Sequence, residues 1–194
     1  MRQVAAMVIA AMMLATTAAC ADAAQPVSGV VAVDGPVTPL AKVEGWRQGP
    51  AGDPYGLLEI AFDQATAERA WQDNVPPGLP MVSGDPQLPG RYGDLGAVDF
   101  TRQALVVWSS GESSGCPAWL ADIRTTGAGV IELQLGAPDQ SESDAEVIMV
   151  CTSDYRPYRM VLAVDRDRLP QPGDLPLVEV RGVPDALVTA YPAG

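Results

Sequence analysis

The chain has 194 residues, with 12 Lys and Arg against 24 Asp and Glu, a formal net charge of −12, 47% hydrophobic residues and no histidine. That apolar fraction supports a folded core and excludes wholesale disorder, and the length suggests one domain. The missing histidine excludes Ser-His-Asp and Cys-His nucleophile pairs and His-based metal sites, while the acidic excess opposes phosphate backbones, so no nucleic-acid partner is expected.

The first 20 residues, MRQVAAMVIAAMMLATTAAC, place Arg2 ahead of the uncharged run Val4–Ala15 and a small-residue stretch, Ala15–Ala19. The apolar run is shorter than the about 20 residues a membrane span requires, and the arrangement is that of a secretory signal. Thr17-Ala18-Ala19-Cys20 has the form of a lipobox, in which Cys20 becomes the lipidated first residue of an exported protein held to the membrane through its anchor alone. Threonine stands where a branched aliphatic residue is commonest. Cleavage after Ala21, Ala23 or Ala24, giving a freely secreted protein, is the alternative.

Residues 21–54 read as a tether with short strands at Gly29–Val33 and Leu40–Trp46, and Pro36 and Pro39 place these in a loop or at a sheet edge. Residues 55–194 read as a single β-rich domain. Gly56–Phe62 is a strand. Asp63 then suits a helix N-cap, Gln64–Asn74 carries Ala67, Ala70 and Trp71 on one face, and Pro76-Pro77 ends the helix. Val75–Gly96, dense in proline and glycine, is a long loop and the candidate contact surface, with Leu79, Pro80, Met81, Leu88 and Pro89 as its contact residues.

Strands follow at Ala104–Ser109, Ala118–Thr125, Val130–Leu135, Glu146–Cys151, Tyr158–Val164 and Leu177–Arg181, with a tight turn at Gly127-Ala128-Gly129. One helix with six to eight strands predicts a mainly β fold, an antiparallel β-sandwich or partly open barrel with one packed α-helix. With Cys20 lipidated or discarded, Cys116 and Cys151 remain, and an oxidising compartment pairs them as a structural disulfide. There is no Cys-x-x-Cys spacing of the redox-active kind.

The chemical motifs are incomplete. Gly111-Glu112-Ser113-Ser114-Gly115 matches the nucleophile-elbow pattern, but no histidine base exists and a strand, not a helix, follows. The acidic run Asp139–Glu146 lacks the glycine and glutamate of a calcium loop, and Asp165-Arg166-Asp167-Arg168 reads as self-satisfied surface pairs. Lys42 is the only lysine, so any Schiff-base or Ser-Lys chemistry would rest on it alone. A hydrolase using carboxylates alone would need a buried pair with perturbed pKa values. No enzyme activity, metal or cofactor is expected.

Val98-Asp99-Phe100-Thr101, then ALVVWSSGESSGCPAWLADI, then Arg156-Pro157-Tyr158-Arg159-Met160-Val161-Leu162 resembles the C-terminal domain of the protease-complex subunit PrcB and related secreted actinobacterial lipoproteins of unknown function. The resemblance spans about Leu57 to Leu169. It departs at Gly115-Cys116-Pro117, where the family tends to have Gly-Gly-Tyr. It implies a sandwich without catalytic residues, serving as an accessory or binding module outside the membrane. The expected function is therefore a non-enzymatic, envelope-anchored lipoprotein that contacts another envelope protein. A secreted protease inhibitor, presenting Ser113–Pro117, or a small-ligand carrier is the alternative.

Overall fold

A computed structural model describes residues 36–45, 56–84, 86–127, 129–136 and 151–193. Cys20, the expected strand Gly29–Val33, Trp46, the acidic run Asp139–Glu146 and residues 146–150 of the expected strand Glu146–Cys151 lie outside them.

In chain order the elements are β1 (Val37–Glu44), β2 (Gly56–Ala61), α1 (Gln64–Asn74), β3 (Gly90–Arg91), β4 (Gln103–Glu112), β5 (Trp119–Thr125), β6 (Val130–Gly136), β7 (Arg156–Asp165), β8 (Glu179–Arg181) and β9 (Ala186–Ala190). Short 3-10 turns occupy Leu95–Ala97, Arg166–Arg168 and Leu175–Leu177. A six-stranded sheet runs β3-β1-β7-β4-β2-β9 and a three-stranded sheet runs β5-β6-β8. The two sheets pack as a sandwich with one helix, and neither closes into a barrel.

The large sheet is the middle of three layers. Its even-numbered positions Leu58, Ile60, Val106, Trp108, Met160 and Leu162 meet Leu120, Ile123, Ile131 and Leu133 of the small sheet. Its odd-numbered positions Leu105, Val107, Val161 and Ala163 meet Ala67 and Ala70 of α1. Strands covered on both faces lose the apolar-polar alternation, which is why ALVVW in β4 and MVLAV in β7 are continuous apolar runs. The small residues Ala67 and Ala70 let α1 lie close to the sheet, and both are completely buried.

Helix α1 has the bounds its sequence predicts. The Asp63 carboxylate accepts from the Thr66 N–H at 2.9 Å and from the Thr66 hydroxyl at 2.8 Å, satisfying one of the free amides of the first turn. At the far end Val75 N–H closes on Trp71 O at 2.8 Å, and Pro76 and Pro77 allow no continuation. Between β5 and β6, Gly127 and Gly129 both have positive φ, 66° and 79°, a conformation that side-chain-bearing residues resist.

Several expectations change. The predicted strand Leu40–Trp46 begins earlier, at Val37, and does not sit at the edge. It lies between β3 and β7, with a register shift between Pro39 and Ala41. A bulge is one of the few places in a sheet that accommodates proline. The predicted strand Leu177–Arg181 divides into a 3-10 turn and the shorter β8. Strand β9 was not anticipated, and it pairs parallel to β2, as β8 does to β6. The chain crosses from the small sheet to the large one between β8 and β9, so these strands join as late additions to sheet edges.

Candidate functional site

The single lysine occupies a fully buried polar position. Lys42 projects from β1 with no solvent exposure. Its ammonium donates to Gln87 O at 2.8 Å, to Glu112 Oε2 at 2.9 Å and to Ala118 O at 3.1 Å, and lies 4.8 Å from the centre of the Tyr158 ring. An ammonium has three protons to donate, and all three are engaged. The same Glu112 oxygen accepts from Ala118 N–H at 2.7 Å. Tyr158 is itself buried, and its hydroxyl accepts from Trp108 Nε1 at 3.2 Å. Burial pushes this phenol well above its usual range, so it stays neutral. Lys42 is thus enclosed as a clamp, and its nitrogen has no open approach for a substrate carbonyl.

The clamp ties β1 to two segments remote from it in sequence: the loop Val75–Gly96 through Gln87, and the connection from the end of β4 to β5 through Glu112 and Ala118. The loop is folded against the edge of the large sheet. Arg91 N–H donates to Pro80 O at 2.9 Å and Val82 N–H to Arg91 O at 2.8 Å, which places Met81 beside β3. Prolines and a twisted, short edge strand of this kind prevent a sheet from pairing further.

The five predicted contact residues divide accordingly. Leu79 is half-buried and packs on the helix-side core. Met81 is 47% exposed, and its sulfur accepts from Arg91 Nε at 2.9 Å. Pro80 and Pro89 are exposed, and Leu88 is 60% exposed. Tyr92, buried beneath the loop, donates its hydroxyl proton to Leu88 O. Under the loop lies an apolar cavity of about 220 Å³ lined by Thr38, Pro39, Leu40, Pro86 and Tyr92.

Next to the clamp is the predicted disulfide. Cys116 and Cys151 are bonded, with Cα atoms 5.2 Å apart across 35 positions. Cys151 lies in irregular backbone shortly before β7, so the bond ties the turn after β4 to the segment leading into its neighbour β7. Cys116 N–H donates to Ser113 O at 3.0 Å, closing a turn. Ser114 N–H reaches Asp154 Oδ1 at 3.2 Å, and Gly115 N–H reaches Thr152 Oγ1 at 3.1 Å. The Thr152 hydroxyl, then that of Ser114, holds the exposed Asp154 carboxyl below its usual range. Ser113 of the nucleophile-elbow pattern sits inside this closed turn with its hydroxyl buried, and a strand follows. The segment Ser113–Cys116 is a turn fastened by these bonds, with Ser114 exposed.

A second polar cluster, which the sequence does not signal, lies below the C-terminal end of α1. Arg159 donates to Asn74 Oδ1. Asn74 Nδ2 donates to Ala70 O at 2.8 Å and to the Tyr191 hydroxyl at 3.1 Å, and that hydroxyl donates to Asp73 at 3.0 Å. Half-burial raises the Glu59 pKa more than the charge of Arg159 lowers it. These residues come from β2, α1, β7 and the segment after β9, so only their convergence identifies them. The expected pairs within Asp165–Arg168 are not what forms: Arg166 donates to the carbonyls of Gln103 and Phe62, Arg168 pairs with Asp122 of β5 at 2.6 Å, and Asp165 accepts from Gln103 Nε2 at 3.3 Å, because the chain turns back here over the neighbouring strands. Among the described residues no group of three acidic or cysteine side chains gathers as a metal-binding set, and no helix is long and apolar enough to cross a membrane. Comparison of the chain with family models, curated proteins and solved structures finds no match.

Proposed function

We propose that the chain is a non-enzymatic display module, anchored outside the membrane through a lipidated Cys20, whose contact surface is the exposed Leu88-Pro89 rim together with the neighbouring turn Ser113–Pro117. The observation that carries this reading is the Lys42 clamp, which fastens Gln87 to Glu112 and Ala118. A proline-rich loop is thereby held on a rigid frame next to a disulfide-bonded turn, with Leu88 projecting to solvent. A loop whose backbone is already held gives up little conformational entropy on binding, which is what an interaction surface needs. The lipobox form of Thr17–Cys20 and the resemblance to secreted lipoproteins support the location, and the engagement of the only lysine supports a role without covalent chemistry.

Two measurements test it. Intact mass of the protein from its native membrane is expected to begin at an acylated Cys20. A photo-crosslinking residue at position 88 is expected to give one discrete protein adduct in the envelope, absent when the same residue replaces exposed Leu135 on the small sheet. A lipid-free mass starting near Asp22 or Gln25 would replace the anchored reading with secretion. Equal labelling at positions 88 and 135 would remove the contact surface.

A further inference from the structure

The borders of the two sheets are not alike. The β3 border carries Arg91 and is covered by the proline loop. The outer strands of the small sheet bear Asp122 and Arg124 in β5, and Glu179 and Arg181 in β8. Prolines and charges on a border are the ordinary protection against edge-to-edge pairing. Strand β9, the other border of the large sheet, reads Ala-Leu-Val-Thr-Ala and has neither.

The unoccupied side of β9 follows from its pairing. Tyr191 N–H donates to Ile60 O, and the N–H and C=O of a strand residue point to the same side and alternate along the chain. Leu187 and Thr189 therefore bond to β2, while Ala186, Val188 and Ala190 present their backbone groups outward. Among the described residues, Ala186 N–H meets Val183 O at 3.4 Å, Ala190 O accepts from the exposed Thr189 hydroxyl at 3.3 Å, and no strand pairs with this side. The 3-10 turn Leu175–Leu177 lies near β9 without a backbone hydrogen bond to it. Leu177 is 80% exposed and Leu187 54%, so the two adjoining elements both present apolar surface.

We infer that two copies of this chain associate by pairing β9 with β9 in antiparallel fashion about a twofold axis at Val188, which joins the two large sheets into one. This register is the one that sets all three outward residues in hydrogen-bonded pairs: Val188 opposite Val188 of the second copy, and Ala186 opposite its Ala190. Leu187 then faces Thr189 of the second copy. Asp185, just before β9, faces Tyr191 of the second copy, so no carboxylate opposes another along the seam. A twofold contact must be self-complementary, and on a molecule of net charge −12 an uncharged border is where two copies approach with least repulsion. The inference is independent of the Leu88 surface, which lies at the opposite border of the large sheet.

Sedimentation equilibrium of the full chain in density-matched non-ionic detergent tests the association. A concentration-dependent dimer is expected, tightening as salt is raised from about 0.1 to about 0.5 M because screening relieves repulsion between acidic bodies. Ala190→Pro removes an outward N–H that β2 does not use, and Leu187→Asp places a charge at the seam; each is expected to weaken the dimer about tenfold or more. Amide exchange provides a readout that does not depend on variants. Leu187 and Thr189 are expected to be protected at all concentrations, and Val188 and Ala190 only where the dimer is populated. A monomer at all concentrations, a dimer indifferent to both variants, or Val188 and Ala190 amides that exchange at the same rate in dilute and concentrated protein would each overturn the proposal.

Discussion

Lys42 shows how one residue acquires a role from its surroundings. A buried charge survives only when its solvation is replaced by hydrogen bonds and an opposite charge, and here a carboxylate and two carbonyls do so. Removing one partner strands the other, so Lys42→Met is expected to cost about 3–5 kcal/mol in denaturant unfolding. The double variant Lys42→Met with Glu112→Gln is expected to cost much less than the sum of the two single changes, since they form one unit. Loosening of the loop should also appear as faster proteolysis near Leu88. Glu59 behaves in the opposite sense. Its folded pKa is raised, so its contribution to stability is fully present below the unfolded value, about 4.3, and is lost as pH rises through the folded value. Glu59→Gln is expected to raise the thermal midpoint at pH 7, with the gain over wild type vanishing below about pH 4. Equal midpoints at pH 7 would show that Arg159 fully offsets the burial of this carboxylate. The sequence marks Lys42 as singular in kind, but its saturation comes from backbone carbonyls at positions 87 and 118, which no residue pattern announces.

Among the elements, α1 was legible to the residue because its signals are local: Asp63 caps, Ala67 and Ala70 face inward, and Pro76 forbids extension. Asp63→Ala is expected to destabilise by about 1 kcal/mol, measurable as a shift in the denaturation midpoint with unchanged slope. The long loop was legible as a loop, while its attachment to β1 through the short edge strand β3 was not, because that depends on which strand is left with an open side. The disulfide was legible once Cys20 was assigned to the leader or the anchor, which leaves two cysteines in an oxidising compartment, but the segments it joins were not. In the chain-entropy view, Cys116→Ser with Cys151→Ser is expected to cost about 3–4 kcal/mol for a closed loop of 35 positions. The same double variant should release the turn Ser113–Cys116, visible as faster amide exchange at Ser114 and Gly115, whose N–H groups bond to Asp154 and Thr152 beside Cys151.

For the whole molecule, a chain without histidine has no side chain of ordinary pKa that titrates close to neutrality. Its stability is expected to be flat from about pH 6.5 to 8, checked by thermal unfolding across that range; a slope there would require a strongly displaced carboxyl. In acid the sign is set by Asp63, Asp99 and Asp154, whose folded pKa values are lowered by hydrogen bonds from Thr66, Thr101 and Thr152 respectively. Their contribution is present above the ordinary aspartate range and lost as pH falls through the folded values. Composition and periodicity by themselves determined the mainly β class, the helix, the cysteine pair and the absence of histidine chemistry, because each is a local or additive property of the chain, while the choice of a two-sheet sandwich over a partly open barrel came from the tertiary structure. Tertiary structure alone decided that β1 lies inside the large sheet, that β8 and β9 pair in parallel, and that Lys42 is a clamp. Those outcomes depend on which distant backbone groups meet, and hydrogen bonds between remote segments leave no periodic trace in the residues that make them.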